Sequence, residues 1–421
     1  MEIVVRPSIG MASKLKIKGE QLLSEIKETA GGVTRAISAD ELGVEALYTA
    51  VIDGIPEDLE PMTFKVTPYC TDAGTLVEGV EKTIILEGDK MTIRTEYALA
   101  DHKDKIKIYG RSHPATSGIA CDFSASGIEF NARLSGDVKI KVNSDGTSYY
   151  TLYINGERQE TRLQFNNGTT EYTIAKDLAE GDYTFKLIKQ SMIDYTESVM
   201  MSLDISGTLL DKPANKELLI EFVGDSITCG HSLVAGYGAG SNESFDATAA
   251  FAYLTAEKLG ADHSLICRSG WALLEDASGN GSVATNIYPY TSYIRTNEKY
   301  VPSRKADIVV IHLGTNDVNY RKDTYGSQFV NKAKAFIESI WEMNPDAKIV
   351  WAYGSMVNSA DFKAKVDAII SGLGGAANGV YSVQLPYDRS GGLTHPTATT
   401  HATSADILAN FIKRTVIDQG E

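Results

Sequence analysis

The chain lacks an excess of basic residues. Its 421 residues include 40 lysines and arginines against 55 aspartates and glutamates, a net charge of -15 with neutral histidines. Such a chain repels phosphate backbones, because nucleic-acid binding depends on basic side chains that neutralise phosphates. A nucleic-acid partner is therefore excluded.

The sequence also lacks a long hydrophobic run. Its apolar stretches, such as 308–313, have the length of a strand, whereas a membrane-spanning helix needs roughly 20 residues. The first residues, Met-Glu-Ile-Val-Val-Arg-Pro, show no basic segment followed by an apolar one, which is the pattern of a secretion signal. We therefore expect no membrane partner, and either a cytoplasmic protein or an exported one whose leader has been removed.

Cysteine is scarce, with four residues in the chain. Cys70, Cys121, Cys229 and Cys267 show no Cys-x-x-Cys spacing, which argues against a zinc knuckle and against a disulfide framework. Cys229 and Cys267 meet if they follow neighbouring strands, but reduced and partly buried thiols are the simpler interpretation.

The chain divides into three stretches, and its length fits two or three domains of about 150 residues each. Residues 1–95 mix a helix-like segment, 13–28, with short β-like runs, which predicts a small β-rich module of structural role. Over 96–212 the hydrophobic period is two, and turn signals such as Asn155-Gly156 separate the runs. This pattern predicts a β-sandwich of the jelly-roll type.

Over 213–421 apolar strands alternate with amphipathic helices. Five runs have the character of buried strands: 218–223, 263–267, 307–313, 348–352 and 379–384. Because helices have to cover both faces of a parallel sheet, this alternation predicts a three-layer α/β/α domain. Ligands of such sheets bind at the carboxyl ends of the strands, so the residues that follow each strand are the candidates for chemistry.

Three of these strand ends carry residues suited to acyl transfer. The first ends in Gly-Asp-Ser at 224–226, where a tight turn presents the Ser226 hydroxyl at the rim of the sheet. Gly270 lets a backbone N–H approach a ligand closely, and Asn316 offers a neutral N–H donor; both suit an oxyanion. Each has a structural alternative: a helix cap for Ser226, a turn for Gly270 and a loop contact for Asn316. Their coincidence at successive strand ends favours a site.

A serine nucleophile needs a base, and His395 is the best candidate of seven histidines. It lies in the loop after the last strand, directly before a proline-started helix, from which its ring reaches across the rim. His312 and His401 fall within a strand and a helix and are expected to be structural, while His231 lacks supporting context. His395 and His401 do not have the i, i+4 spacing of a helical metal pair, so no metal is expected.

Together these motifs resemble the four signature blocks of the SGNH (GDSL-type) hydrolases: 224–226, Gly270, 314–317 and His395-Pro396. The longer string 221–230 is similar to carbohydrate esterase family two, in which a jelly-roll domain precedes the hydrolase domain. The resemblance reaches back to about residue 105. It implies a serine carboxylic-ester hydrolase without a cofactor, an acetylesterase that removes acetyl groups from plant polysaccharides or oligosaccharides of the xylan and mannan type.

The resemblance also implies the roles of the site residues. Ser226 is the nucleophile and His395 the base, while the backbone N–H groups of Ser226 and Gly270 and the side chain of Asn316 form the oxyanion hole.

One departure from the superfamily pattern concerns the acid. Many SGNH enzymes have an aspartate two or three positions before the histidine, where this chain has Leu393 and Gly392. Some family members are thought to use a Ser-His dyad, and we expect the same here, with a main-chain oxygen near Gly392 or Leu393 orienting the His395 ring. Asp388 is a weaker substitute.

Sugar binding requires flat apolar surfaces, and Trp271 and Tyr290 are the candidates to stack on an acetylated carbohydrate substrate. Two other functions remain open. One is a lipid esterase or thioesterase of the same superfamily, which requires an apolar acyl tunnel. The other is a carbohydrate-binding protein with a weak or inactive hydrolase domain.

Overall fold

The structure, a computed structural model, describes residues 93–418 apart from 113, 116, 275–282, 295–296 and 321–324, and before residue 93 it gives strands. Those N-terminal strands are β1 (Ile3–Pro7), β2 (Leu15–Ile17), β3 (Ile26–Glu28), β4 (Thr34–Ile37), β5 (Ala50–Asp53), β6 (Met62–Asp72), β7 (Thr75–Glu78), β8 (Lys82–Glu87) and β9 (Lys90–Ala98). The helix predicted over 13–28 is wrong at both ends, where β2 and β3 lie, and its middle falls outside the described residues.

The predicted boundary at residue 95 lies inside a strand. β9 pairs with β8 on one side and, through Thr95 to Ala98, with β18 of the following domain on the other. Strands β1, β6, β8 and β9 therefore continue the sheet of the sandwich domain, whereas β2 with β3 and β4 with β5 form two separate two-stranded sheets.

The sandwich domain contains nine strands of very different length. They are β10 (Ile106–Tyr109), β11 (Pro114–Ala115), β12 (Gly118–Cys121), β13 (Gly127–Ser144), β14 (Ser148–Ile154), β15 (Glu157–Arg158), β16 (Leu163–Phe165), β17 (Gly168–Lys189) and β18 (Ser198–Leu209). The long strand β13 lies between β17 and β18, and its register with β17 shifts between Leu134 and Lys139. Alternate residues of these strands, such as Phe130, Ile140 and Phe185, point into one buried core, as a half-exposed sheet requires.

The second domain has the predicted parallel sheet. Its strands are β19 (Leu219–Gly224), β20 (Asp262–Cys267), β21 (Ile308–His312), β22 (Lys348–Tyr353) and β23 (Val380–Gln384). The order is β20-β19-β21-β22-β23, and every neighbouring pair is parallel. Because the chain starts in β19 and winds first to β20 and then to β21, the ends of these three strands border the switch point where ligands bind.

Helices cover both faces of this sheet. They are α1 (Phe251–Lys258), α2 (Ala284–Ile287), α3 (Thr315–Tyr320), α4 (Gly326–Met343), α5 (Ala360–Gly372) and α6 (Ala398–Phe411), which continues as a π-helical segment, Ile412–Ile417. The hydrophobic period predicts helices at 248–259, 328–343, 361–373 and 399–417, and the four longer helices α1, α4, α5 and α6 lie there. The sequence pattern missed α2 and α3, which are too short to show a period. No helix in the described part of the chain is long and apolar enough to cross a membrane.

The two domains share one interface with both apolar and charged contacts. The core of the α/β domain includes Tyr109, Phe123 and Met192 of the sandwich domain. Arg111 of the sandwich is fully buried, and its Nη2 lies 3.4 Å from both carboxylate oxygens of Glu221 in the middle of β19. Since a buried charge is costly without a partner, this ion pair fixes how the domains meet.

Three of the four cysteines lie among the described residues. Cys121, Cys229 and Cys267 are buried free thiols, and Cys70 falls outside. The sequence favoured reduced, partly buried thiols. The three thiols are free, as that interpretation expects, but they are fully buried.

Acidification is expected to destabilise this fold through buried histidines. Burial lowers the pKa of His263 and of His312 to about 4 and that of His401 to about 3. An unfolded chain protonates histidine near pH 6.5. Between about pH 6.5 and 4 the unfolded state therefore binds more protons than the folded state, and the free energy of unfolding decreases as the pH is lowered. Asp225, whose pKa burial raises to about 7, opposes this, as do Asp122 and Asp204, whose pKa values burial also raises. His231, whose pKa is lowered to about 3, adds to the effect of the other histidines.

We therefore expect the urea midpoint of unfolding to be lower at pH 5 than at pH 7, with an unchanged m-value. A midpoint that rises on acidification would contradict the assignment of these histidines as neutral core groups.

Candidate active site

Ser226 lies in a tight turn directly after β19. A Cβ on Gly224 would come within 1.9 Å of the Thr228 hydroxyl, so the turn requires glycine at that position. The buried side chain of Asp225 accepts a hydrogen bond from the backbone N–H of Ile227 at 3.0 Å. These contacts hold the turn and leave the Ser226 hydroxyl at the rim of the sheet.

His395 is presented by an unusual turn, Gly392–Thr394, between β23 and α6. Leu393 and Thr394 both have positive φ, at 49° and 59°, a conformation that side chains other than glycine rarely adopt. Backbone hydrogen bonds that involve Gly391 and His395 close the turn. In one of them the Gly391 N–H donates to the His395 carbonyl at 2.8 Å. The consequence is that the Leu393 carbonyl faces back toward the ring of His395.

The serine and the histidine are in hydrogen-bond contact. Nε2 of His395 lies 2.8 Å from Oγ of Ser226, and Nδ1 lies 3.0 Å from the main-chain oxygen of Leu393. A carbonyl oxygen can only accept, so Nδ1 carries the proton and Nε2 is left to accept from the serine hydroxyl. Burial lowers the pKa of His395, and the carbonyls of Leu393 and Gly392 oppose that effect. The ring is therefore neutral, as a base must be.

Gly270 and Asn316 border the same rim. Gly270 has a φ of 82° in the turn after β20, and Asn316 lies in the first turn of α3. The Asn316 side-chain amide donates to the Trp271 carbonyl at 2.8 Å, which leaves its second N–H available. Asp317 accepts hydrogen bonds from the backbone N–H groups of Leu273 and Leu274. The chain after Gly270 is thus fixed against α3.

The two predicted stacking residues are placed differently from expectation. Trp271 is completely buried in the core of the α/β domain, so its ring has no face to offer a sugar; its contribution is the carbonyl that positions Asn316. Tyr290 is half-buried, with the Lys299 ammonium over its ring and its carbonyl bonded to Arg111. Neither of these two contacts involves Ser226 or His395.

His231 is a site residue that the sequence pattern missed. Its buried ring stacks on that of His395, with the centroids 3.8 Å apart and the planes 15° apart. Nδ1 of His231 is 2.8 Å from the Ser232 hydroxyl, which in turn accepts from the backbone N–H of Gly240. Burial and the neighbouring His395 lower the pKa of His231 to about 3. A neutral ring therefore covers one face of the candidate base.

The small-residue loop after the nucleophile packs against the histidine turn. A Cβ on Gly240 would lie 3.0 Å from the Leu393 side chain and 3.3 Å from the His231 ring. On the other side, a Cβ on Gly392 would lie 2.8 Å from Ser232. The two loops are close enough that both positions require glycine.

Asp388 does not contact the histidine ring. Its Oδ2 accepts from the backbone N–H and hydroxyl of Thr397 and from the Thr400 hydroxyl, and its Oδ1 accepts from Ser390. These bonds hold the pKa of Asp388 well below its usual range. The carboxylate ties the turn to the start of α6. Among the described residues, no group of three or more potential metal ligands occurs.

The site combines the serine turn, the Gly270 and Asn316 strand ends and the histidine loop on a doubly wound sheet. This combination is that of an SGNH (GDSL-type) hydrolase. Residues 222–403 match the GDSL-like Lipase/Acylhydrolase family, and residues 108–213 match the Carbohydrate esterase 2 N-terminal family. The chain thus carries a GDSL-like hydrolase domain after a carbohydrate esterase 2 N-terminal domain, and the proteins similar to it include family two carbohydrate esterases.

The relatives are consistent with that family. The cellulase/esterase CelE of Acetivibrio thermocellus is 29% identical over 316 residues, which cover 70% of this chain and only 38% of CelE. An acetylxylan esterase / glucomannan deacetylase of Cellvibrio japonicus is 23% identical, over 76% of this chain and 91% of that protein. A family two carbohydrate esterase from Clostridium thermocellum, solved in complex with cellohexaose, has a TM-score of 0.68 at 27% identity and covers 73% of this chain and 98% of that one.

We expect His231 to position His395. Stacked aromatic pairs contribute about 0.5–1.5 kcal/mol, so His231→Ala should lower kcat for ester hydrolysis by about three- to tenfold with little change in KM. Water admitted beside the ring should also move the acid limb of the pH profile upward, because burial is what lowers the pKa of His395.

The matched variant is His231→Phe, which keeps a flat ring and should restore both kcat and the pH profile. If the alanine and phenylalanine variants behave alike, stacking is not what holds the base.

Proposed function

We propose that the protein is a carbohydrate O-acetylesterase that acts on plant polysaccharides or oligosaccharides through a serine acyl-enzyme and a Ser-His dyad. The observation that carries this proposal is the continuous chain from the Leu393 carbonyl through His395 to Ser226, with separations of 3.0 Å and 2.8 Å. It is the geometry required for an activated serine nucleophile.

In the first half of the reaction, Nε2 of His395 takes the proton of Ser226 as Oγ attacks the acetyl carbonyl. The imidazolium that forms is stabilised by the Leu393 carbonyl dipole in place of a carboxylate. This carbonyl fixes the tautomer as an aspartate does, but it carries no full charge, so its stabilisation of the imidazolium is weaker.

The negative charge on the carbonyl oxygen then requires donors at the rim. The backbone N–H groups of Ser226 and Gly270 and the remaining Asn316 amide hydrogen form the oxyanion hole, each worth about 3 kcal/mol in comparable sites. When the tetrahedral intermediate collapses, the bond from the acetyl carbon to the sugar oxygen breaks, and His395 gives its proton to that oxygen. In the second half His395 deprotonates water, which attacks the acetyl-enzyme. The bond to Ser226 Oγ then breaks, Oγ takes the proton back from His395, and acetate leaves.

The side chains around the rim favour a carbohydrate over a long acyl chain. Next to the Gly270 turn, the described surface carries tyrosines and carboxylates such as Tyr195, Tyr293 and Asp194. These groups suit hydroxyl-rich ligands, whereas an acyl tunnel requires an apolar lining. The matched relatives include an acetylxylan esterase / glucomannan deacetylase, which supports the same substrate class.

The deciding measurement is acetate release from acetylated xylo- or manno-oligosaccharides, compared with hydrolysis of a long-chain ester. The wild type should prefer the acetylated sugar, and Ser226→Ala should lose acetate release while retaining oligosaccharide binding. Ser371→Ala, an exposed change at the end of α5, is the matched control. Preference for the long chain would favour a lipid esterase, and binding without turnover by the wild type would favour a binding protein.

The dyad is tested by Asp388→Asn. This variant removes the charge but keeps an acceptor for the hydrogen bonds from Thr397 and Thr400, so it should keep most of its kcat. Replacing the aspartate of a triad by asparagine lowers kcat by about 10⁴-fold. A loss of that size, in a variant with unchanged thermal stability, would show that Asp388 acts as the acid.

A further inference from the structure

A segment of the sandwich domain reaches the turn that carries Gly270. Residues 190–197 connect β17 to β18, and Met192 within them is 5% exposed and belongs to the core of the α/β domain. Two residues further on, Asp194 forms an ion pair with Arg268, with 2.6 Å between Oδ1 and Nε. The segment therefore lies against the chain just after the end of β20, at the rim of the hydrolase sheet.

One contact of this segment is directly adjacent to Gly270. The Sδ atom of Met192 accepts a hydrogen bond from the Ser269 N–H, with 3.1 Å between nitrogen and sulfur. A thioether is a weak acceptor, but a backbone N–H that is removed from water is costly to leave without a partner. This bond therefore fastens the turn of one domain to a core side chain of the other.

The hydrogen bond holds a peptide unit whose neighbour carries the Gly270 N–H. The N–H of unit 268–269 donates to Met192, and the carbonyl of the same unit accepts from the Trp271 N–H at 3.2 Å, which closes a four-residue turn. Gly270, third in this turn, has a φ of 82°, as in a type II turn. Because one unit is held at both ends, the direction of the next unit, and so of the Gly270 N–H, is restricted.

The segment is itself fixed to the sandwich on both sides of Met192. Before it, the Ser191 hydroxyl accepts from the Tyr149 N–H at 2.8 Å. After it, the Thr196 carbonyl accepts from the ammonium of Lys189, a fully buried residue at the end of β17. The sulfur is therefore held by the sandwich domain and not by the hydrolase domain whose turn it contacts.

The direction of the Gly270 N–H matters because of its role as an oxyanion donor. Such a donor is effective when it lies about 2.7–3.1 Å from the position that the oxygen takes in the transition state, and when it does not have to reorient during the reaction. For Gly270 this preorganisation comes from the turn and from the sulfur that holds the turn.

We propose that Met192 is a positioning residue of the oxyanion hole, through which the sandwich domain sets the direction of the Gly270 N–H. The inference rests on the proposed function, to which it adds a residue from the other domain. The sandwich domain then takes part in transition-state stabilisation in addition to packing against the hydrolase domain. This role requires a hydrogen-bond acceptor at position 192, whereas core packing requires an apolar side chain of the same volume.

The test compares two aryl esters that differ in one atom, 4-nitrophenyl acetate and O-(4-nitrophenyl) thionoacetate. Sulfur in place of the carbonyl oxygen is a larger atom and a weaker acceptor, so it gains little from donors that are placed for oxygen. The ratio of kcat/KM for the two esters therefore reports on the oxyanion donors and not on the base. We expect the wild type to favour the oxygen ester.

Met192→Leu removes the acceptor and keeps the apolar volume, a change that costs little stability. Loss of a whole oxyanion donor lowers kcat by about 10²–10³-fold. Because Met192 directs such a donor, we expect kcat/KM for the oxygen ester to fall by about tenfold, with a smaller fall for the thionoester. Met192→Gln, which has an oxygen acceptor on an unbranched side chain, should recover part of the ratio.

Two further variants separate this effect from others. Met200→Leu is the same change at a fully buried methionine of β18, and it should alter neither rate. His231→Ala affects the ring stacked on His395, so it should lower both rates alike and move the pH profile. Met192→Leu should instead change the ratio and leave the pH profile in place.

The inference is wrong if Met192→Leu lowers both rates equally or changes neither, if the glutamine and leucine variants have the same ratio, or if the wild type does not favour the oxygen ester. A failure of the proposed function is recognised separately. Inactivity of the wild type on acetylated oligosaccharides, with the aryl esters still hydrolysed, contradicts the sugar substrate and leaves the test of Met192 in force. Inactivity on every ester contradicts both, since there is then no oxyanion to stabilise.

Discussion

The site depends on one hydrogen bond, from Nδ1 of His395 to the main-chain oxygen of Leu393. It fixes which nitrogen faces Ser226 and so decides whether the hydroxyl can lose its proton. The acceptor exists because Leu393 and Thr394 hold left-handed backbone conformations, which cost of order 1–3 kcal/mol each where side chains are present. Packing of Gly392 on Ser232 and of Leu393 on Gly240 stabilises that turn. The fold thus supplies through its backbone what a side-chain carboxylate supplies in a triad.

The same need for a fixed geometry explains how the domains are joined. Arg111 of the sandwich pairs with Glu221 of β19, the strand that ends in the serine turn. The Tyr288 hydroxyl also donates to Glu221 at 2.6 Å. A second pair, Lys107 with Asp262 at 2.6 Å, lies at the start of β20. These buried charges connect the sandwich to the two strands whose ends carry Ser226 and Gly270. A shift of one domain would therefore leave charges unpaired, at a cost well above that of a surface ion pair.

Much of the α/β domain was predictable because its strands are continuous apolar runs. The five strands begin and end within about a residue of the predicted limits, and the confirmed parallel sheet follows from their alternation with helices. The N-terminal segment was less predictable: Leu15, Ile17 and Ile26 fit a helical pattern over 13–28, yet they fall in strands. Short apolar runs do not distinguish the hydrophobic period of a helix from that of a strand.

Side-chain burial was the other limit of sequence reasoning. Trp271 follows the oxyanion glycine, and nothing in its neighbours distinguishes an exposed stacking ring from a core one. His231 is stacked on a residue far away in the chain, a contact that no local pattern encodes. Its only sequence signal is its place directly after the 221–230 string, five residues after Ser226.

The pairing of β9 with β18 has a consequence for dissecting the protein. Residues Thr95 to Ala98 cover Ser202 to Ile205, so a chain cut at the apparent domain boundary would lose that partner strand. The freed N–H and C=O groups of β18 would then form an open edge, which is a template for association with another copy. A fragment made of the two C-terminal domains alone would consequently aggregate, although every residue of its reaction centre is present.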